Sequence, residues 1–484
     1  MSNTWNAIRL GRVLAVLIII LGLVGGASAA DKPFDGTTVK IVVNAEYVKF
    51  AMEMVADALK AEHGISLEVE VIPGDAFATK TLLEFTNGRS PWDLIMFNPT
   101  DFADYARHFE PLEPYIKKLG LELDLDDIAE AYRKTNMYWG GELYAMPLDG
   151  DIHIMFYNKV AFTRPENKAK FKDQFGYELA PPQTWTQWDD MAKFFNGWGW
   201  DGSDKKLFGA GASLKENPYS FYWWQQRFFS YGGQYFDKDL NPLINSKPGV
   251  RALQELIDTV QYYPPGVLLF ESEEPKTMLI KGEVPMLVSW TSTGKRVGDA
   301  NQSLIVDKAG YSVLPGNKTP DGKILRTVPN TGGRSFAISK YSDKKDATAV
   351  VLAFVLSPQQ SLKIVMHPKT LMDPWRTSHL TSEEFGAAWP GAEEYLAAIK
   401  DSFPYTVPGI QIPGGLEYRR RLAEMITRGL QKSMTAQQAL DEAADHWNKI
   451  TKRRRKKRQL EFWNQQMEAM TEAGITFRPE LAEK

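Results

Sequence analysis

Cysteine is absent from the 484 residues. Disulfides, thiol nucleophiles and cysteine-ligated metals are therefore excluded, and an oxidising compartment adds no covalent staple. Histidine is scarce, and the six present (His63, His108, His153, His367, His379 and His446) show no metal-ligand spacing. The catalytic signatures H-E-x-x-H, G-x-S-x-G and G-x-x-x-x-G-K-S/T do not occur. No sign of charge dominates: Lys+Arg is 57 and Asp+Glu is 60, a formal charge of −3. That mild acidic balance gives no global reason to expect nucleic acid. Apolar runs beyond residue 30 are short and interrupted, as in a globular chain.

The one long apolar run sits at the N-terminus. Arg9 and Arg12 precede the unbroken stretch Val13 to Leu21, Gly22 to Gly26 loosen it, and Ala27-Ser28-Ala29-Ala30 close it with small residues. A positive n-region, a short h-region and an A-x-A-like site have the form of a secretory signal peptide, with cleavage expected before Ala30 or Asp31. The alternative is a membrane anchor. The run reaches ~18 residues only if its Gly and Ser positions count, whereas a spanning helix needs about 20. Loss of two arginines and no acid leaves the mature chain at −5 from −3. At 43% hydrophobic the chain can bury a large core, and its length suggests two or three domains.

The first mature segment alternates. Val39 to Val43 is β-branched, Phe50 to Ala61 is amphipathic at helical spacing, and Leu67 to Ile72 alternates strictly before Pro73-Gly74. A helix over about Thr79 to Asn87 and a buried strand over Asp93 to Phe97 follow, arguing for an α/β domain with a largely parallel sheet. Later strands are expected at Ile154–Tyr157, Met286–Ser289, Tyr311–Leu314 and Ser335–Ile338. Helix starts are expected at Thr186, Ser357-Pro358, Thr381-Ser382 and Thr435. Strands scattered this widely suggest a chain that crosses between two domains more than once. The last helix runs from about Ala436 into the basic block Lys452 to Arg458. Beyond it Leu460, Trp463, Met467 and Met470 fall at helical spacing. Nucleic acid or an anionic membrane are the functional readings of the block. A solvated helix face with an apolar stripe packed on the body is the structural one, and it is the one adopted.

Two features bear on chemistry. Asp149-Gly150-Asp151 in extended chain would put both carboxylates on one side, about 6–7 Å apart. That spacing overlaps glycosidase acid–base pairs, suits a turn equally, and would also let the acids accept hydrogen bonds from hydroxyls. Trp290 ends a strand and leads into the polar loop Thr291-Ser292-Thr293-Gly294. Polyols alternate apolar C–H faces with hydroxyl edges, so flat aromatics beside planar polar groups suit them, although core packing is the commoner role of an aromatic.

Several local patterns in order resemble a known family. Gly88-Arg89-Ser90-Pro91-Trp92-Asp93-Leu94-Ile95 is similar to a "G-x-x-P-D-hydrophobic" strand entry with Trp92 inserted. Gly141-Glu142-Leu143-Tyr144-Ala145-Met146-Pro147 with Tyr157-Asn158-Lys159 is similar to "G-x-x-Y-A-x-P…Y-Y-N-K", with Phe156 for the first Tyr. Pro182-Gln183-Thr184-Trp185, Tyr231-Gly232-Gly233, Lys281-Gly282-Glu283-Val284-Pro285-Met286 and Gly332-Gly333-Arg334-Ser335-Phe336-Ala337-Ile338-Ser339 continue the set. Met434 to Leu440 resembles the last helix of the family. Together they resemble family 1 extracellular solute-binding proteins, the periplasmic sugar receptors of ATP-binding-cassette importers.

That resemblance implies an α/β, two-lobed periplasmic binding protein fold of type II, with a cleft between lobes and three hinge crossings. It implies a first lobe of 31–150 plus 290–335, a second, helix-rich lobe of 151–289 plus 336–451, and a basic helical extension over 452–484. The crossings are expected at Asp149 to His153, near Ser289 to Ser292 and near Arg334 to Ala337. Ligand-binding candidates are Asn44, Glu46, Tyr47, Asn98 and Asp101 after first-lobe strands and Asp149, Asp151 and His153 at the hinge. Trp290 and either Trp223 or Trp224 are expected as platforms, with Gly332, Gly333 and Arg334 at the third crossing, Arg334 either donating to ligand or held in a hinge salt bridge. The implied protein is a monomeric, non-enzymatic receptor without cofactor or metal. Its expected partners are a carbohydrate or polyol and inner-membrane permease subunits, and no nucleic acid. An exported carbohydrate-active hydrolase using Asp149 and Asp151 is the alternative.

Overall fold

A computed structural model describes residues 32–216, 218–330 and 333–472. The signal segment, its cleavage site and residues 473–484 fall outside these. Eight strands position the site: β1 (Thr38–Val43), β2 (Ser66–Val71), β3 (Leu94–Phe97), β4 (Ala145–Asp149), β5 (His153–Asn158), β6 (Met286–Trp290), β7 (Ala309–Ser312) and β8 (Arg334–Ile338). The helices that matter are α1 (Glu46–His63), α2 (Tyr219–Ser230), α3 (Glu273–Ile280), α4 (Lys345–Val355), α5 (Pro358–Met366), α6 (Ala392–Ser402), α7 (Gly415–Leu430), α8 (Ala436–Arg453) and α9 (Lys456–Glu472).

Two sheets result. The first runs β2-β1-β3-β8-β4 and the second β6-β5-β7. β1 pairs in parallel with β2 and β3, and β8 enters antiparallel between β3 and β4. The run Leu94-Ile95-Met96-Phe97 is buried throughout, as a central strand covered on both faces must be. In the second sheet all pairs are antiparallel. The arrangement is two-lobed, and the chain passes between lobes three times: from β4 to β5, from β7 to β8, and between α5 and α6. Helix α4 packs on α1, β1 and β8, whereas α6 packs on β7 and β5.

The segment boundaries differ from those implied by the resemblance. Trp290 is not a crossing: the short helix Thr293–Val297 follows it and the chain returns to the same sheet as β7. Part of 290–335 therefore belongs with the second sheet. Conversely β8 and α4 carry the start of 336–451 into the first lobe. Antiparallel pairing decides both cases, and no local pattern announces it. Helix starts agree at Ser357, Ser382 and Thr435, each accepting from a backbone N–H three residues on. The cap expected at Thr186 is Thr184, which forms a reciprocal capping box with Gln187. Arg455, at φ 65, breaks α8 from α9. Helix α9 then packs back as its stripe predicts: Trp463 and Met470 are buried. It touches both lobes, Phe462 stacking on Trp139 at 5.5 Å and Trp463 meeting Phe236 edge-on at 5.2 Å. Among the described residues no single helix is long and apolar enough to cross a membrane.

Candidate functional site between the lobes

Two antiparallel pairs end at the same place. Arg334, the first residue of β8, lies opposite Asp149, the last of β4. His153, the first of β5, lies opposite Trp290, the last of β6. The first crossing joins them, so side chains from three distant stretches of sequence meet around residues 149–153. The carboxyl ends of β1 and β3 add Asn44, Tyr47 and Asn98 from the same side, where open α/β sheets gather ligands. A cavity of about 420 Å³ opens here. Asn44, Tyr47, Met96 and Asn98 form one wall, and Asp151, Gly333, Arg334 and Leu371 the floor. Trp290, Ser292, Tyr219, Tyr222, Ser272, Glu273 and Lys276 form the opposite wall. Its volume lies within the ordinary range of small-molecule sites, about 300–1,000 Å³.

The floor is a charge cluster tied by one guanidinium. Arg334 donates to Asp149, to Asp151 at 3.3 Å, to the Tyr47 hydroxyl and to Asn44 at 3.4 Å, and lies 5.1 Å from the Tyr47 ring centre. Burial opposes its charge, but Tyr47, Asp149 and Asp151 more than offset that and hold it charged. Asp149 is fully buried and also accepts from the Asp373 N–H at 2.8 Å. Burial, reinforced by Asp151, pushes its carboxyl up to about 7 against the pull of Arg334. Asp373 is driven well above the usual carboxylate range by burial and by its two acidic neighbours. Carboxylate oxygens of Asp149, Asp151 and Asp373 lie within 4.8 Å of one another, and Arg334 already pairs with two of the three. Behind them the buried Lys295 donates to the carbonyls of Met372 at 2.7 Å and Val365 at 3.1 Å, and burial draws its ammonium down to about 8. Two glycines permit this packing. A Cβ on Gly150 would lie 2.1 Å from the Pro374 carbonyl, and one on Gly333, at φ +56, would lie 2.0 Å from that of Asp149.

The second wall is aromatic. Trp290 meets His153 edge-on at 4.4 Å, Tyr219 at 5.7 Å and Tyr222 at 6.0 Å. Tyr219, Tyr222 and Gln226 share one stripe of α2, because positions three and four apart face alike. Gln226 pairs with His153 Nδ1 at 2.6 Å. His153 is buried, and burial pulls it down to about 3, so it is neutral.

The cavity thus brings together Asn44, Tyr47, Asn98, Asp151, Trp290, Gly333 and Arg334 of the residues singled out in the sequence. Others stand elsewhere. Glu46 is exposed in the first turn of α1. Asp101 pairs with Arg419 at 2.8 Å. Asp149 and His153 lie beneath the lining, and Trp223 backs Trp290 at 5.9 Å. Trp224 is a core residue stacked on Phe228 at 4.3 Å and donating to the Gly249 carbonyl. Gly332 lies outside the described residues. An open acid pair at Asp149 and Asp151 is not what forms, since Asp149 is sealed under Arg334. Sequence reasoning leaves out Tyr219, Ser272, Glu273 and Lys276, and has Tyr222 and Ser292 only as parts of an aromatic run and a polar loop. The helical stripe of α2 could have pointed to the tyrosines; nothing local marks Glu273 and Lys276.

Comparison with known proteins agrees with this architecture. The family model described as "Bacterial extracellular solute-binding protein" matches residues 44–361. A "Probable amino-acid ABC transporter periplasmic-binding protein y4oP" of Sinorhizobium fredii is 25% identical over 347 residues, 69% of this chain and 72% of that one. A "Mannitol-binding protein" of Pseudomonas aeruginosa is 24% identical over 357 residues, 68% of this chain and 73% of that one. The crystal structure of a solute-binding protein from Agrobacterium radiobacter in complex with ribitol superposes with a TM-score of 0.72 at 23% identity. It covers 87% of this chain and 100% of its own.

Proposed function

The chain belongs to the bacterial extracellular solute-binding proteins, and we propose that it is the receptor of an ATP-binding-cassette importer for a polyol or sugar. Ligand enters the cleft between the two sheets, closure about the crossings traps it, and the closed form presents it to the membrane permease. The observation that carries this reading is the pairing of walls. An aromatic face of Trp290, Tyr219 and Tyr222 opposes planar polar groups of Asn44, Asn98, Asp151 and Arg334 across about 420 Å³. Such a site offers C–H faces a flat apolar partner and hydroxyls both donors and acceptors. The two relatives and the ribitol-bound neighbour support an importer receptor and, in two of three cases, a polyol.

The same reading assigns export to the periplasm with the signal cleaved before Ala30 or Asp31, a monomer, and no nucleic-acid partner. The lobes are best divided as 32–149 with 334–366 and 153–312 with 392–453, α9 lying across both. No catalysis is assigned, because the acid nearest the glycosidase pattern, Asp149, is buried and salt-bridged. A thermal-shift screen with ribitol, D-mannitol, glucose and maltose tests the ligand class. A ligand at 100 times its dissociation constant stabilises by about 2.7 kcal/mol, well within detection. Failure of every polyol and sugar to shift melting removes the class. Turnover of an oligosaccharide that disappears in Asp151→Asn would replace the receptor with a hydrolase.

A further inference from the structure

We infer that Lys276 is the residue through which the second lobe reads its ligand, and that it selects a neutral polyol over sugar acids, amino sugars and amino acids. The inference rests on the polyol reading above and adds the residue and the charge of the ligand. Lys276 lies on α3, is 3% exposed and lines the cavity. Among the described residues its ammonium makes one hydrogen bond, to Glu273 Oε1 at 3.0 Å. An ammonium carries three donors, so two point at no protein partner, and a buried charge left so is costly. Arg334 on the floor is in the opposite condition, with Asn44, Asp149, Asp151 and Tyr47 all accepting from it. The cation of the cleft with the most donors to spare is therefore Lys276, on the second lobe.

The charges at the two places differ in sign. Glu273 is shared between Lys276 and Arg296, whose Nη1 donates to it at 2.6 Å, so it does not neutralise Lys276 alone. At the crossing the acid that lines the cavity is Asp151, while Asp149 and Asp373 lie beneath it with carboxyls that burial pushes towards the protonated form. A sugar acid gains at Lys276 and is repelled at Asp151; an amino sugar does the reverse. A hydroxyl accepts from Lys276 and donates to Asp151 equally well, so a neutral polyol satisfies both. An amino-acid zwitterion also matches two opposite charges. It has no run of C–H faces to lay on Trp290, Tyr219 and Tyr222, and the structure favours the polyol for that reason.

Calorimetric titration of the exported protein with ribitol, D-mannitol, D-gluconate, D-glucosamine and L-glutamate decides the matter, repeated in Lys276→Met and Lys276→Arg. The expected result is an alditol that binds wild type more tightly than the other three classes. Lys276→Met should weaken it by about 10- to 100-fold, the range for a hydrogen bond to a charged group. Lys276→Arg, which keeps charge and donors, should stay within about tenfold of wild type. Circular dichroism of both unliganded variants checks that they fold. An alditol that binds wild type and Lys276→Met alike overturns the role of Lys276 and leaves the polyol receptor standing. Tighter binding of L-glutamate or gluconate than of either alditol overturns the selectivity. If no alditol or sugar binds wild type, the polyol reading fails and this inference with it.

Discussion

Replacing Arg334 by methionine should destabilise the unliganded protein more at pH 8 than at pH 5, by an amount the structure bounds. Asp149 is fully buried, and with Arg334 beside it its carboxyl titrates at about 7. At pH 8 the wild-type carboxylate is ionised by roughly ten to one, and Arg334 is what makes that ionisation favourable. Without the guanidinium the group rises further and takes a proton instead. One unit between titration point and solution pH is a factor of ten, so the Asp149 share of the loss is on the order of 1 kcal/mol at pH 8. At pH 5 the carboxyl is protonated in both proteins and that share is about zero. The lost hydrogen bonds to Asn44 and Tyr47 weigh alike at both pH values, since burial holds the Tyr47 hydroxyl up at about 12. The sign for wild type follows from the same shift. A folded value raised above the ordinary ~3.9 gives stability that is fully present below about pH 4 and is lost as pH climbs through about 7. Urea unfolding at both pH values, followed by tryptophan fluorescence and far-ultraviolet circular dichroism, measures the difference; coincident transitions license a single free energy. Asp149→Asn keeps an acceptor for the Asp373 N–H and removes the titration. Equal destabilisation by Arg334→Met at pH 5 and pH 8 refutes the reasoning, as does a pH difference that survives in the Asp149→Asn background.

Other expectations are simpler to check. Gly333→Ala forces a Cβ to 2.0 Å from the Asp149 carbonyl at φ +56, so it should lower thermal stability by on the order of 1–3 kcal/mol and weaken alditol binding; wild-type melting would contradict it. Trp290→Ala removes the flat face of the second wall and should weaken binding of ribitol or D-mannitol about tenfold, read by titration calorimetry. Trp463→Ala on α9 should cost about 3–5 kcal/mol in urea unfolding, because the ring is almost wholly buried against Phe236; a loss below about 1 kcal/mol would mean the extension is only loosely docked.

What could be read from the sequence was local. β1, β2 and β3 are legible because β-branched runs and strict alternation are properties of a few adjacent residues, and the caps at Ser357 and Thr435 sit three residues from the groups they satisfy. Register is not local. Arg334 pairs with Asp149 across 185 positions, and only β8 inserting between β3 and β4 brings them together. The loop after Trp290 reads as an exit from its sheet, yet β7 brings the chain back beside β5. On α2 the sequence shows Tyr222-Trp223-Trp224 as one aromatic run. A helix turns each residue about 100° from the last, so Tyr222 reaches the cleft, Trp223 backs Trp290 and Trp224 goes to the core. Glu273 and Lys276, at i and i+3, look like any solvated pair on a helix. Lys276 is nonetheless buried where it lines the cavity while Glu273 stays exposed, a difference set by tertiary packing that no spacing encodes.

The unequal state of the two walls also bears on closure. A ligand shifts a hinge only by what it binds more tightly in the closed form than in the open one. Moving a hinge from 1:99 to 99:1 takes about 5.5 kcal/mol of such difference. The floor contributes little to it, because Arg334 is satisfied by Asn44, Tyr47, Asp149 and Asp151 before any ligand arrives. On the proposed reading, Asp151 and the first-lobe loops meet the ligand in either state. The difference must come from the wall that meets the ligand on closing. Two free donors on Lys276, at about 1.5–3 kcal/mol for a charged hydrogen bond, reach most of the required size. Contact with Trp290 and the two tyrosines adds about 0.5–1.5 kcal/mol. Closure therefore depends on whether the ligand offers acceptors to Lys276, and a truncated polyol that reaches Asp151 but not α3 should bind without closing the cleft. Small-angle scattering of the protein saturated with glycerol and with D-mannitol separates the two: compaction by mannitol alone is expected, and equal compaction by glycerol would place the closing contacts on the floor instead.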